Sequence, residues 1–233
     1  MLSNLSKILN DVNTFVLPET CFGCNAVLYR GEPLLCAFCR NELPLTEYDF
    51  THENAADRLF YGHPGVKKAS AMCFYHENGM VQQLIHALKY RKVEKIGVFL
   101  GSWYGALLRR EAALQKVDCV FPVPLHRKKE RKRGYNQCSG FGREIARALG
   151  VAFTELQLVR RQDSPTQTSK NRWQRWKGTT GTFSVPHPEC LEGKNILLVD
   201  DVITTGATLG ACCEALEQAR PRGVYIAAMA IVP

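Results

Sequence analysis

Residues 195–209 constrain this chain more than any other stretch. Ile196, Leu197, Leu198 and Val199 form an uninterrupted apolar run, which suits a central strand of a parallel sheet covered on both faces. Two carboxylates, Asp200 and Asp201, follow at once. Neighbouring ionised carboxylates are costly to bury, so they are expected at the carboxyl end of the strand, the edge where open α/β sheets bind ligands. Thr204, Thr205, Gly206, Ala207 and Thr208 then offer hydroxyls, backbone N–H groups and a flexible glycine just ahead of a helical run over 209–219. Amides at a helix N-terminus, aided by the helix dipole, form a ready site for phosphate. The pattern points to a sugar phosphate, its phosphate on the loop and its ribose hydroxyls donating to the carboxylates. The competing reading is an ordinary strand-to-helix turn closed by an N-cap. A match of the whole string between strand and helix favours the ligand.

A chain of 233 residues has room for one full α/β domain and a small appendage. Apolar residues at 45% and charged residues at 22% are ordinary for a globular protein. No apolar run is long enough to span a bilayer, so no transmembrane segment is expected. Residues 1–18 are interrupted by Lys7 and Asp11 and lack the design of a signal peptide, which makes a cytoplasmic location the expectation. The formal charge of +8 is unevenly spread. Residues 127–177 hold fourteen Lys/Arg against four Asp/Glu, a net of +10 that leaves −2 for the remainder. The basicity therefore belongs to one segment and points to a polyanionic ligand near it.

Four of the ten cysteines fall into two C-x2-C knuckles, Cys21 with Cys24 and Cys36 with Cys39, eleven residues apart. Four thiolates make a closed tetrahedral site, structural rather than catalytic, and zinc is the expected ion. An iron–sulfur cluster is the minor alternative. Residues 27–32 between the knuckles read as a short hairpin, which makes the unit a zinc ribbon. Cys73, Cys119, Cys190, Cys212 and Cys213 read as small buried hydrophobes, and packing is the favoured reading for Cys138 as well.

Along the chain, the expected organisation is a ribbon over 1–45, a linker packed on the core over 46–66, and an α/β domain over 67–233. Strands are expected at 68–75, 118–124, 154–160, 183–185, 196–199 and 224–231. Helices are expected at 80–90, 93–114, 136–149 and 209–219. The 80–90 helix rests on Val81, Leu84, Ile85 and Leu88 at helical spacing. Alternation of this kind implies a mainly parallel sheet with helices on both sides. Residues 125–135 read as a loop bearing the densest charge: Arg127, Lys128, Lys129, Arg131, Lys132 and Arg133. That loop is either solvated or a polyanion contact. Trp173 and Trp176, interleaved with Arg172 and Arg175, either stack on nucleobases of a single strand or pack as one face of an amphipathic helix.

The run over 195–209 resembles the phosphoribosyl-pyrophosphate (PRPP) signature of type I phosphoribosyltransferases. Such a ligand carries a 5′-phosphate, two ribose hydroxyls and a pyrophosphate normally assisted by Mg2+, which prefers substrate phosphates and few protein ligands. Lys89, closing its helix, and Arg133 or Lys132 are candidate cations for the pyrophosphate. The candidate catalytic set is thus Asp200, Asp201, Lys89 and Arg133, acting electrostatically on a developing oxocarbenium charge.

The parts also occur in a recognisable order: the four-cysteine unit, then Ile85-His86-Ala87-Leu88-Lys89-Tyr90, Pro122-Val123-Pro124-Leu125-His126, Arg133-Gly134-Tyr135-Asn136-Gln137, Thr166-Gln167-Thr168 and the signature. That order resembles the ComF (GntX-like) family of bacterial phosphoribosyltransferase-domain proteins. The resemblance implies a type I phosphoribosyltransferase fold and a part in natural competence, handling incoming single-stranded DNA on the cytoplasmic side of the membrane. It also implies partners among other competence proteins, such as a DNA-import helicase. Asp200, Asp201 and residues 204–208 carry over onto the PRPP-loop positions; Lys89 and Arg133 carry over as pyrophosphate or polyanion contacts. Two departures stand out. The tail over 224–233 has no base-binding insert of the kind that identifies purine or pyrimidine transferases, and the Trp-rich stretch after Thr168 differs from the family's simpler basic pattern. Two functions follow: a ribose-phosphate-binding protein of DNA uptake, or an active Mg-dependent transferase acting on a nucleobase-like acceptor.

Overall fold

The computed structural model describes residues 19–160 and 182–233. In chain order the elements are α1 (Ala37–Asn41), α2 (Ala55–Arg58), β1 (Val66–Phe74), α3 (Met80–Tyr90), α4 (Lys95–Leu108), β2 (Cys119–Pro122), α5 (Arg127–Arg133), α6 (Gln137–Leu149), β3 (Ala152–Phe153), β4 (Val159–Arg160), β5 (Phe183–Ser184), β6 (Asn195–Ile203), α7 (Ala207–Glu217) and β7 (Gly223–Ile231). Five strands form one sheet in the order β1-β7-β6-β2-β3, and every pairing within it is parallel. The expected mainly parallel sheet flanked by helices is therefore present.

The central strands β6 and β7 are apolar on both faces because both faces are covered. Leu197 and Val199 pack into one apolar cluster with α3, α4 and α6, while Ile196 and Leu198 pack into the other with α7. The helix after β2 thus lies on one face and the helix after β6 on the opposite face. Chains leaving adjacent parallel strands in opposite directions open a crevice at their carboxyl ends. That crevice, between β2 and β6, is where the functional side chains collect.

Helix α3 forms where its periodicity places it, burying Val81, Leu84, Ile85, Ala87 and Leu88. The expected 93–114 helix is shorter. It ends at Leu108, and a 3-10 turn (Ala112–Lys116) returns Leu114 to the core. Between the two, Glu111 turns to accept the backbone N–H of Phe50 at 3.2 Å, a partner no helix pattern discloses. The strand expected at 154–160 is also corrected. β3 pairs with β2 over two residues only, the Thr154 hydroxyl then accepts the N–H of Leu156, and β4 pairs antiparallel with β5 outside the main sheet.

The loop expected at 125–135 is helix α5. His126 caps it by accepting the N–H of Lys128, and Gly134 ends it in the left-handed region at φ 86°. Lys, Arg and Glu are good helix formers, so seven charged residues between two caps form two turns despite having no apolar face. The hairpin expected at 27–32 does not form as paired strands. A single antiparallel bridge joins Thr20 to Val27, and Glu32 closes the turn by accepting the N–H groups of Tyr29 and Ala37 at 2.8 Å each.

Helix α4 approaches α6 through Gly97, Gly101 and Gly105, one stripe at four-residue spacing. A Cβ on Gly101 would lie 2.5 Å from the Phe141 carbonyl oxygen, which is backbone and cannot swing aside. Gly101→Ala is therefore expected to cost roughly 1–3 kcal/mol, as overpacking of a filled core does. A fall in the urea midpoint with unchanged slope measures it. Gly62→Ala, with open space around the added methyl, is the control.

Candidate ribose-phosphate site and metal centre

The signature strand does not stop at Val199. It runs on through Asp200 and Asp201 to Ile203, because Val202 and Ile203 still pair with Ala230 and Ile231 of β7. The two acids thus lie in the last turn-ward residues of a strand rather than beyond it, and Asp201 is buried at 6% exposure. A buried carboxylate needs partners. Asp201 has two: Lys89 Nζ of α3 at 2.6 Å from Oδ1, and Gln137 Nε2 of α6 on Oδ2. Asp200 is partly buried, with its Oδ1 accepting the N–H of Asp201 at 2.8 Å and the Cys138 thiol at 3.6 Å. Withdrawal from water, and then the Asp201 charge beside it, pushes Asp200 up to about 7. Burial, followed by the charges of Asp200 and Asp201, holds the Cys138 thiol well above its ordinary range, so Cys138 packs and is not a reactive thiolate.

The loop after the strand leaves Thr204, Thr205, Ala207 and Thr208 exposed. Gly206 sits at φ 72°, which a side chain would strain, and Phe60 and Leu59 lie 3.2–3.3 Å from where a Cβ would stand. As the N-cap of α7, Gly206 brings no side chain to the first-turn amides. The Ala207 N–H donates to the Thr205 hydroxyl at 3.4 Å, and Gly206 has no side chain to compete with an anion for the Thr208 and Leu209 amides.

Arg133 points back into this crevice. Its guanidinium donates to Gln137 Oε1 and lies 5.5 Å from the centroid of the Tyr90 ring. The Tyr135 hydroxyl donates to the Leu88 carbonyl, tying the start of α6 to the end of α3. The structure therefore joins Lys89, Arg133, Asp200 and Asp201 in one network. Arg127, Lys128, Lys129, Arg131 and Lys132 are exposed on α5 at its rim. Gln137 and Tyr135, which complete the network, were not singled out as site residues from the sequence. Their signal was their place directly after the basic run, at a helix start. Arg172, Trp173, Arg175, Trp176 and the 166–168 motif lie outside the described residues.

The four knuckle cysteines converge: their sulfurs all lie within 4.8 Å of one another. Around a tetrahedral ion with bonds of ~2.3 Å, sulfurs stand roughly 3.8 Å apart. The Cys24 and Cys36 sulfurs are 3.8 Å apart. Backbone amides of Gly23 and Cys36 each donate to Cys21 Sγ at 3.3 Å. Burial opposes ionisation of Cys21, yet the amides of Cys36, Cys24 and Gly23 outweigh it and hold the thiol down to about 6. Cys39 is pushed well up, by burial and then by the other three sulfurs. A cation relieves that conflict, so the donor set fits a closed structural metal site. A Cβ on Gly23 would meet Cys39 Sγ at 2.8 Å, so the knuckle closes only with glycine there. Cys138, Asp200 and Asp201 also cluster, with Lys89 paired to Asp201 at 2.6 Å.

The mainly parallel sheet flanked by helices is of the phosphoribosyltransferase kind, and the family described as phosphoribosyl transferase domain matches residues 135–232. Among relatives, the chain is 28% identical over 136 residues to the DNA utilization protein YhgH of Salmonella typhimurium; the match takes in 57% of this chain and 59% of the relative's own length. It is 24% identical over 211 residues to the protein of that name from Escherichia coli (strain K12), covering 86% of this chain and 91% of the relative. It is 34% identical over 121 residues to the competence protein ComFC of Streptococcus pneumoniae, covering 52% and 51%. The ComF resemblance drawn from the motif order is borne out by these relatives. Among solved structures, the glutamine PRPP amidotransferase of B. subtilis aligns at 18% identity and a TM-score of 0.44 over 62% of this chain and 30% of that one.

Two outcomes are expected. Metal analysis of the purified chain should find about one zinc per molecule, lost together with thermal stability in Cys39→Ser; an intact fold with no bound metal would remove the metal centre. In the ligand-free protein, folding raises the affinity of Asp200 for its proton. Between about pH 4 and about pH 7 the folded state then holds a proton the unfolded chain has released, so stability falls as pH rises through this window. Urea midpoints at about pH 5.5 and about pH 7.5 should show that decline in the parent and a flatter profile in Asp200→Asn.

Proposed function

We propose that this protein binds a ribose phosphate of the PRPP type at residues 200–208 and acts in natural competence, handling incoming single-stranded DNA on the cytoplasmic side of the membrane. The observation that carries the ribose-phosphate reading is the conjunction at one sheet edge of the exposed Thr204, Thr205, Ala207 and Thr208, the glycine N-cap of α7 and the carboxylate pair. Asp200 and Asp201 accept from ribose hydroxyls, and the loop amides take the phosphate. Mg2+, when bound, neutralises the substrate's own phosphates; Lys89 and Arg133 supply the protein's cations. Lys89 is held by Asp201 when no ligand is present, so a pyrophosphate and Asp201 compete for the same ammonium.

The DNA reading rests on the five exposed cations of α5 beside the crevice and on the names of the relatives. No helix among the described residues is long and apolar enough to cross a membrane. Such a surface draws a strand toward the protein through its phosphates, and a DNA-import helicase or another competence protein is the expected partner. The second reading, an active transferase, is favoured by the intact signature: nothing in it is altered that ribose-phosphate binding needs.

Titration with Mg-PRPP and with short single-stranded DNA separates these readings. Asp201→Asn should abolish PRPP binding and leave DNA binding in place. Replacing Lys128, Lys129 and Arg131 with Ala should weaken DNA binding and lower the salt slope by about 2, at roughly 0.7 per lost phosphate contact on a single strand. Pyrophosphate release from PRPP in the presence of nucleobases would establish the transferase. No PRPP binding would end the ribose-phosphate reading, and no DNA binding at low salt would end the DNA one.

A further inference from the structure

The start of α7 is braced by a segment that brings no ligand-binding group of its own. Gly206 and Gly210 stand one helical turn apart, and the Gly210 N–H donates to the Gly206 carbonyl at 2.8 Å. Side chains at that spacing share one helix face, and here both are missing. Residues 59–63 fill the space. A Cβ on Gly206 would stand 3.2 Å from the Phe60 ring and 3.3 Å from Leu59 Cβ, and a Cβ on Gly210 would stand 2.7 Å from His63 Nε2. Gly210 lies inside α7 and outside the left-handed region, so the imidazole, not the backbone, asks for glycine there.

The brace is itself anchored. Asn54 and Asp57 cap α2 reciprocally, and Asp57 also accepts the Ala69 N–H of β1 at 2.8 Å and Lys68 Nζ at 2.6 Å. Beyond α2, the Phe60 N–H donates to the Asp57 carbonyl and the His63 N–H to the Phe60 carbonyl, each at 2.9 Å. Val66, the first residue of β1, donates to the His63 carbonyl at the same distance. The turn that carries both rings is thus tied to β1 at each end. Phe60 is buried among Leu209, Ala211 and the rest of its apolar cluster. His63 is only half-buried; its ring centroid lies 6.4 Å from that of Phe60, and it lines a cavity of about 380 Å3 with Tyr61, Lys67 and Lys68. An imidazole at a cavity wall can be removed without opening the buried core.

We propose that His63 is a positioning residue of the ribose-phosphate site: its imidazole, set against Gly210 while Phe60 bears on Gly206, aims the first turn of α7 at the phosphate. The proposal rests on the ribose-phosphate reading, because the groups it aims are the Thr208 and Leu209 amides of that site. An anion at a helix N-terminus is held by the direction of a few N–H groups, and a hydrogen bond weakens steeply as its donor turns out of line. A small tilt of this turn therefore costs affinity without altering any group that touches the ligand. The segment between the cysteine unit and β1 then contributes to the site through its packing.

Calorimetric titration of the full chain with ribose 5-phosphate tests this, with urea midpoints measured on the same proteins. His63→Ala and Gly210→Ala should each weaken binding about tenfold, the scale of one lost hydrogen bond to a charged group. Combining the two should recover most of that loss, because the added methyl takes up space the imidazole has left. Lys67→Ala, which lines the same cavity but packs on Gly223, should bind as the parent does. Single variants that bind like the parent overturn the proposal and leave the ribose site standing, whether or not their urea midpoints fall. Losses that simply add in the combined variant also overturn it, since two positions in contact must couple. Failure of the parent to bind ribose 5-phosphate overturns the ribose site, and the proposal with it.

Discussion

The site depends on one buried carboxylate. Asp201 is reached by Lys89, 112 residues away in sequence, and by Gln137, 64 residues away. Strand β6 and helices α3 and α6 are held at that point. A charged group at this depth without partners would cost several kcal/mol, so the ammonium and the amide are conditions of the strand continuing past Val199. Tyr135 and Arg133 extend the same arrangement: one ties α6 to the end of α3, and the other lies on Tyr90 and donates to Gln137. A ligand that asks Asp201 for a hydrogen bond therefore acts on three elements at once.

The cysteine unit belongs to the same construction. Cys21, Leu34, Leu35 and Cys39 are buried in the apolar cluster that includes the inner faces of α3, α4 and α6. Metal ligation and core packing thus stabilise each other. The knuckle's exposed side, with Asn25, is left facing a cavity beside α3. On the opposite face of the sheet, Phe60 packs on Gly206 and so limits the conformations open to the signature loop.

Elements with strong local patterns were legible in the sequence. Helix α3 has the bounds its apolar spacing gave, and the start of α6 is set by Asn136, whose side chain accepts the N–H of Cys138. Less was visible where the decisive partner is distant. Helix α5 has no apolar face, so periodicity could not find it, although His126 and Gly134 were cap signals standing in plain view. The shortened α4 and the split between β3 and β4 follow from contacts with Phe50 and Phe183, which no local window contains. Of the candidate site, the carboxylate pair, the loop, Lys89 and Arg133 were legible as residue types. Gln137 and Tyr135 were not, because amide and phenol side chains take their roles from the groups they face.

The sequence by itself determined the chemistry on offer. Its apolar run, acid pair and small-residue loop call for a strand, a sheet edge and an anion site in that order, and its paired cysteines call for a tetrahedral ion. These are local relations, fixed by spacing of two to fifteen residues, and spacing is what a sequence records. Only the tertiary structure decided which charges meet. Lys89 is drawn to Asp201 and Arg133 to Gln137 and Tyr90, while Lys128, Lys129, Arg131 and Lys132 lie exposed on α5, because helices leaving β2 and β6 on opposite faces open a crevice between those strands. The pairing of a buried charge is a property of the space around it, and that space is made by the whole sheet.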